Sequence, residues 1–101
     1  MGINMNETGI NPDVIEEIKE LARNYQVDRV ILFGSRARGD YGRASDIDLA
    51  VQGGDFINFA LDVDEKTSTL LMYDVIDLNS NVQEELLESI RKDGIVIYEK
   101  I

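Results

Sequence analysis

Two short stretches of this 101-residue chain combine residue types and spacings suited to chemistry: Gly34-Ser35 and, after ten intervening residues, Asp46-Ile47-Asp48. A Gly-Ser pair leaving an apolar run lets the backbone approach a ligand closely, because glycine has no Cβ and tolerates positive φ. Its amides, with the Ser35 hydroxyl, can cradle a phosphate. Aspartates spaced i, i+2 on a strand point to one face. Two anions so placed repel, which raises one pKa unless a divalent cation compensates them. Mg²⁺ is the natural cation, since it is commonly held by one or two carboxylates and completes its shell with phosphates and water. Together the turn and the acid pair point to phosphoryl or nucleotidyl transfer. Arg36, Arg38 and Arg43 lie in the loop between them and are candidates for phosphate contact, with Arg38 equally suited to an ion pair with a nearby acid.

Each half alone has an ordinary explanation. Gly-Ser is common turn chemistry, and Asp-x-Asp fits the solvent face of an antiparallel strand. The combination does not: four specified residues at fixed offsets arise by chance about once in a thousand chains of this size. Aspartate is also disfavoured in strands, so two on one face of an apolar strand call for a reason.

The elements that must position these groups follow from periodicity. Asn11 can cap a helix opened by Pro12, with Asp13 and Glu16 in the first turn. Val14, Ile15, Ile18, Leu21, Ala22 and Tyr25 give it one apolar stripe. Asp28 to Phe33 contains Val30-Ile31-Leu32-Phe33, a strand buried on both faces and stopped by Gly34. Gly34 to Ala44 is a connection with one helical turn near Ala37. Ser45 to Val51 alternates acids with apolar residues, placing Asp46, Asp48 and Ala50 opposite Ile47, Leu49 and Val51. A helix is expected from Phe56 to about Leu71, then a strand from Tyr73 to Leu78. Asp74 and Asp77, three residues apart, face opposite sides of that strand, so only one can join the other acids. Ser80 and Gln83 have capping-box spacing before a helical stripe of Val82, Leu86, Leu87 and Ile90. That helix ends at Gly94 and is followed by a strand from Ile95 to Tyr98. The expected fold class is α+β, with helices covering a four-stranded mixed sheet. Residues 1–10 are expected to be a flexible leader and 11–101 a single domain.

Composition narrows the chemistry. The 44% of hydrophobic residues suffices for a core in a chain about one domain long. With no Cys and no His there is no thiol nucleophile, imidazole base, disulfide or conventional zinc site, so carboxylates, hydroxyls, cations and a hard metal remain. Ten Lys and Arg against twenty Asp and Glu give a net charge of −10, which opposes tight sequence-independent binding to nucleic acid. No apolar run approaches the roughly 20 residues that span a bilayer, so no membrane partner and a cytoplasmic location are expected.

The fuller motif, Gly-Ser-Arg-Ala-Arg-Gly followed by Ser-Asp-Ile-Asp-Leu, strongly resembles the DNA polymerase β-like nucleotidyltransferase superfamily. The short length resembles its minimal nucleotidyltransferase (MNT) branch, and the similarity runs from the first helix to Gly94-Ile95-Val96-Ile97-Tyr98. The resemblance implies the nucleotidyltransferase fold, Asp46 and Asp48 as Mg²⁺ ligands, and Gly34 and Ser35 as the turn that holds the nucleotide's phosphates. It also implies a third aspartate on a neighbouring strand, best matched by Asp74, with Asp77 as the fallback. Arg36 and Arg38 are carried as further nucleotide contacts. One or two Mg²⁺ ions and ATP are the implied cofactor and substrate. The implied partner is a HEPN-domain toxin, inactivated by transfer of AMP to a tyrosine, with this chain as antitoxin of a type VII-like pair. Two alternatives stand beside that reading: a non-catalytic module that neutralises its partner by occupancy, and one subunit of a two-chain transferase.

Overall fold

The computed structural model describes residues 7–101. Eight elements follow in order: α1 (Pro12–Asn24), β1 (Arg29–Phe33), α2 (Ser35–Arg38), β2 (Ile47–Gln52), α3 (Phe56–Lys66), β3 (Tyr73–Asp77), α4 (Glu84–Asp93) and β4 (Ile95–Glu99). The strands form one sheet in the order β3-β2-β1-β4. β1 pairs antiparallel with β2 and β4, whereas β2 and β3 run parallel. The mixture follows from the connections. A short link through α2 returns the chain beside β1, while a parallel neighbour to β2 needs the longer crossover that α3 provides.

Side-chain alternation divides the sheet into two unlike faces. Val30, Leu32, Ile47, Leu49 and Val51 point to one, where α1 supplies Val14, Ile15, Ile18 and Ala22 and α3 supplies Phe59 and Val63. α1 starts as its sequence dictates: the Asn11 side chain accepts from the Asp13 amide at 2.8 Å, and Pro12 opens the helix. Two polar clasps fix the α1–α3 layer. The Tyr25 hydroxyl donates to the Asp62 carboxylate, and Glu17 accepts from the Ser68 amide at 2.8 Å and its hydroxyl at 2.6 Å. The opposite face has a smaller apolar cluster of Phe33, Ala50 and Ile90, joined by Ile31, Ile76, Leu78 and Leu86. α4 therefore covers part of this face, and Asp48 and Asp74 share it by alternation with Ala50 and Ile76.

Two boundaries differ from expectation. α3 ends at Lys66 rather than near Leu71, because the Thr67 hydroxyl donates to the Val63 carbonyl at 2.7 Å while Thr67 itself turns extended. The Ser80–Gln83 capping box does not form. The Ser80 hydroxyl donates instead to the Asp77 carbonyl at 2.7 Å, and α4 starts at Glu84 with Glu84 and Glu85 favouring its positive end. Of residues 1–10, expected as a leader, the structure describes those from Glu7 onward. Thr8 is fully buried, and Ile10 joins the α1 face of the core. Met1 to Asn6 lie outside the described residues.

Candidate active site

The Gly34 bend and the first acidic residue of β2 meet directly. Phe33, the last residue of β1, pairs with Asp48, so the chain leaving β1 passes beside the Asp48 side chain. Gly34 takes φ 75° and ψ −157°, and a Cβ there would lie 2.0 Å from Asp48 Oδ2. Only glycine allows both the backbone angle and that approach. The Gly34 carbonyl then accepts from the Ala37 and Arg38 amides, each at 3.1 Å, to start α2. The amides ahead of them, as at any helix start, have no intrahelical acceptor and suit an anion. Ser35, partly buried, is the first residue of that turn.

Sheet register assembles the acids. Asp48 pairs with Asp74 across β2 and β3, so their side chains leave the same face one strand spacing apart. Asp46 is exposed just before β2, Asp48 is partly buried and Asp74 is exposed. Burial, then the charges of Asp74 and Asp46, push the Asp48 carboxyl from 3.8 up to about 6, while Arg38 opposes the rise. Two neighbouring carboxylates therefore act on Asp48 at this end of the sheet. Asp77 does not join them. It pairs with Val51 at the other end of β3, its alternation puts it on the α1–α3 face, and its Oδ1 accepts from the Asn79 amide at 2.9 Å.

Among the described residues no group of three or more acidic side chains is drawn together closely enough to hold a metal ion by itself. The donor set still fits Mg²⁺. Its oxygen ligands are hard, their crowding disfavours full ionisation without a cation, and magnesium shares its shell between protein carboxylates and substrate phosphates.

The arginines divide between two tasks. Arg38 is exposed, lies 3.3 Å from Asp40, and contributes positive charge at Asp48. Arg43 is exposed in the same loop. Arg36 was expected among the phosphate contacts, but it is 2% exposed and its guanidinium turns inward. It donates from Nε to the Ser45 carbonyl at 3.0 Å and from Nη1 to the Thr8 carbonyl at 2.9 Å, with Tyr41 stacked 4.8 Å away. Thr8, Tyr41 and the Ser45 carbonyl thus support the loop, although no local pattern in the sequence singles them out. The Ser45 hydroxyl adds a closure of its own by accepting from the Gly42 amide at 2.8 Å.

Residues 16–101 match the family model described as polymerase beta, nucleotidyltransferase. A Methanocaldococcus jannaschii protein named "Putative protein adenylyltransferase MJ0604" is 37% identical over 83 residues, covering 82% of this chain and 79% of that protein. Among solved structures, a chain of a toxin-antitoxin complex with AMP-PNP superposes with a TM-score of 0.69 at 24% identity, covering 85% of this chain and 73% of that one. A chain from a Shewanella oneidensis complex of a tri-AMPylated HEPN toxin with an MNT antitoxin gives 0.63 at 21% identity, covering 86% and 71%. At these identities the structural likeness is one of fold. The family match covers the acids, the bend and every strand of the sheet, and the chain belongs to the polymerase β-like nucleotidyltransferase family.

Proposed function

We propose that this nucleotidyltransferase moves AMP from ATP to a hydroxyl of a partner protein, and that the acceptor is a tyrosine of a HEPN-type toxin that the transfer silences. The observation that carries the reading is the contact of three groups at one end of the sheet: the Gly34 bend against Asp48, and Asp48 in register with Asp74. The name of the M. jannaschii relative supports protein as the acceptor class. The fold shared with a chain of the Shewanella toxin-antitoxin complex supports the kind of partner. A net charge of −10 suits a protein surface better than a nucleic-acid primer.

In this reading Gly34 and Ser35 hold the triphosphate through backbone amides and the Ser35 hydroxyl, and Arg38 neutralises phosphate charge from the exposed side of the loop. Asp46, Asp48 and Asp74 would hold magnesium. When bound there, the metal supplies positive charge for the entering and leaving oxygens of an in-line displacement. The acceptor hydroxyl attacks the α-phosphorus, a new P–O bond forms, and the bond to the β-phosphate oxygen breaks. Pyrophosphate leaves with the bonding electrons. Asp74 stands on the exposed side of the acids, where it can take the hydroxyl proton.

The test is incubation with α-labelled ATP, Mg²⁺ and the product of the neighbouring gene. Label on that protein, abolished by Asp46→Asn and Asp48→Asn, supports the reading. A tight complex that carries no label and ignores both substitutions makes the chain a binding module instead.

A further inference from the structure

Arg36 is among the largest fully buried side chains of the domain, yet it is charged and follows immediately after the Gly34-Ser35 bend. Removing a guanidinium from water is costly, so such a group persists only where several directed contacts recover the loss. Its contacts belong to three different parts of the chain. Through its own backbone it is part of α2, the turn that follows Gly34. Nε holds the Ser45 carbonyl, the oxygen of the peptide that leads into Asp46. Nη1 holds the Thr8 carbonyl, 28 residues upstream. Tyr41 closes the arrangement from both sides: its ring faces the guanidinium and also lies against Gly9, where a Cβ would come within 2.5 Å of it. Gly9 has φ +73°, so the segment is shaped to pass over the ring.

We infer that Arg36 is a positioning residue: it fixes the phosphate-binding turn and the entry to the acid strand relative to one another, with Thr8-Gly9-Ile10 as the third anchor. The segment ahead of α1 is therefore part of the frame of the active site. The inference rests on the proposed nucleotide site for its consequence, but its geometry is independent of that site. Lysine cannot replace arginine here, because the two carbonyls lie along separate directions of a planar fork and an ammonium on a flexible stem does not reproduce that fork.

The experiment uses the full chain with Arg36→Lys, Gly9→Ala and the double variant. The probe is AMP-PNP titrated calorimetrically in Mg²⁺, well below each variant's melting temperature. Both single variants are expected to melt cooperatively and to bind AMP-PNP at least tenfold more weakly. The double variant is expected to be no weaker than Arg36→Lys, since both act through one link. Affinity within twofold of the wild type in both single variants, whatever their melting temperatures, overturns the inference and leaves Arg36 a stability residue only. Should Arg36→Lys not fold, Gly9→Ala is read alone by the same criterion. Should the wild type show no Mg²⁺-dependent binding, the proposed function fails and hydrogen exchange decides this inference separately. Faster exchange at Ala37 and Arg38 together with Ile47 supports the tie, whereas a change confined to Ala37 and Arg38 refutes it.

Discussion

Replacing Asp48 by asparagine is expected to stabilise the metal-free protein at neutral pH while removing its function. Asp48 titrates near 6 in the folded chain against 3.8 ordinarily, so its ionised form is disfavoured by folding. Below pH 3.8 the carboxyl is neutral in both states and costs nothing. As pH rises toward 6 the folded protein keeps a proton that the unfolded chain has released, so stability falls through this window and levels off above it. The gap between 3.8 and about 6 corresponds to roughly 3 kcal/mol for a carboxylate shut off from water, at about 1.4 kcal/mol per tenfold change in proton affinity. Asp48 is only partly buried, and solvent screening reduces this to about 1–2 kcal/mol. For a domain of this size that is a rise in Tm of roughly 5–10 °C. The assay is thermal denaturation of wild type and Asp48→Asn without divalent cations between pH 3.5 and pH 8. The gain is expected to be near zero at the acid end, to grow between pH 4 and pH 6, and to hold steady above. Adding Mg²⁺ should narrow it by stabilising only the wild type. An asparagine variant equal to or less stable than wild type at pH 8 would falsify the burial of Asp48, and its crowding by Asp74 and Asp46, on which the site is built.

Asp74→Asn is expected to reduce labelled AMP transfer by about 10²–10³-fold, whereas Asp77→Asn leaves the rate within a few-fold; equal losses would mean that the register of β3 has been misassigned. Gly34→Ala forces a Cβ to 2.0 Å from Asp48 Oδ2 at positive φ, so ATP affinity is expected to collapse with a stability loss of about 1–3 kcal/mol. Calorimetry and urea melts report the two effects separately. Phe59→Ala, at a fully buried position between α3 and the sheet, is expected to cost about 3–5 kcal/mol. Because Phe59 lies across the sheet from the acids, ATP affinity measured on the residual folded fraction should be unchanged.

Much of this architecture is legible in the sequence because its signals are local. The run Val30 to Phe33 defines a strand covered on both sides, and the strict alternation from Ile47 to Val51 separates core residues from the acid face. Pro12 after Asn11 marks a helix start that the structure reproduces at the same residues. Long-range relations are less visible. Choosing between Asp74 and Asp77 requires the register of a parallel pairing across the α3 crossover, which neither residue's neighbours encode. Arg36 looks like its exposed neighbour Arg38 in the sequence; the Thr8 and Ser45 carbonyls and the Tyr41 ring, brought together by the fold, distinguish them. Ser80 and Gln83 have the right spacing for a cap, but a hydroxyl can serve either neighbour, and here the Asp77 carbonyl takes it.

β3 stands at the margin of the sheet, where among the described residues β2 is its one strand neighbour. A strand zipped along one side is released at lower free energy than one held along both. The outermost acid rides on that strand, so warming should dismantle the carboxylate constellation while α1, β1 and β2 are still intact. Heat inactivation would then precede melting, and the span between the two temperatures would measure how firmly β3 is sewn to its neighbour.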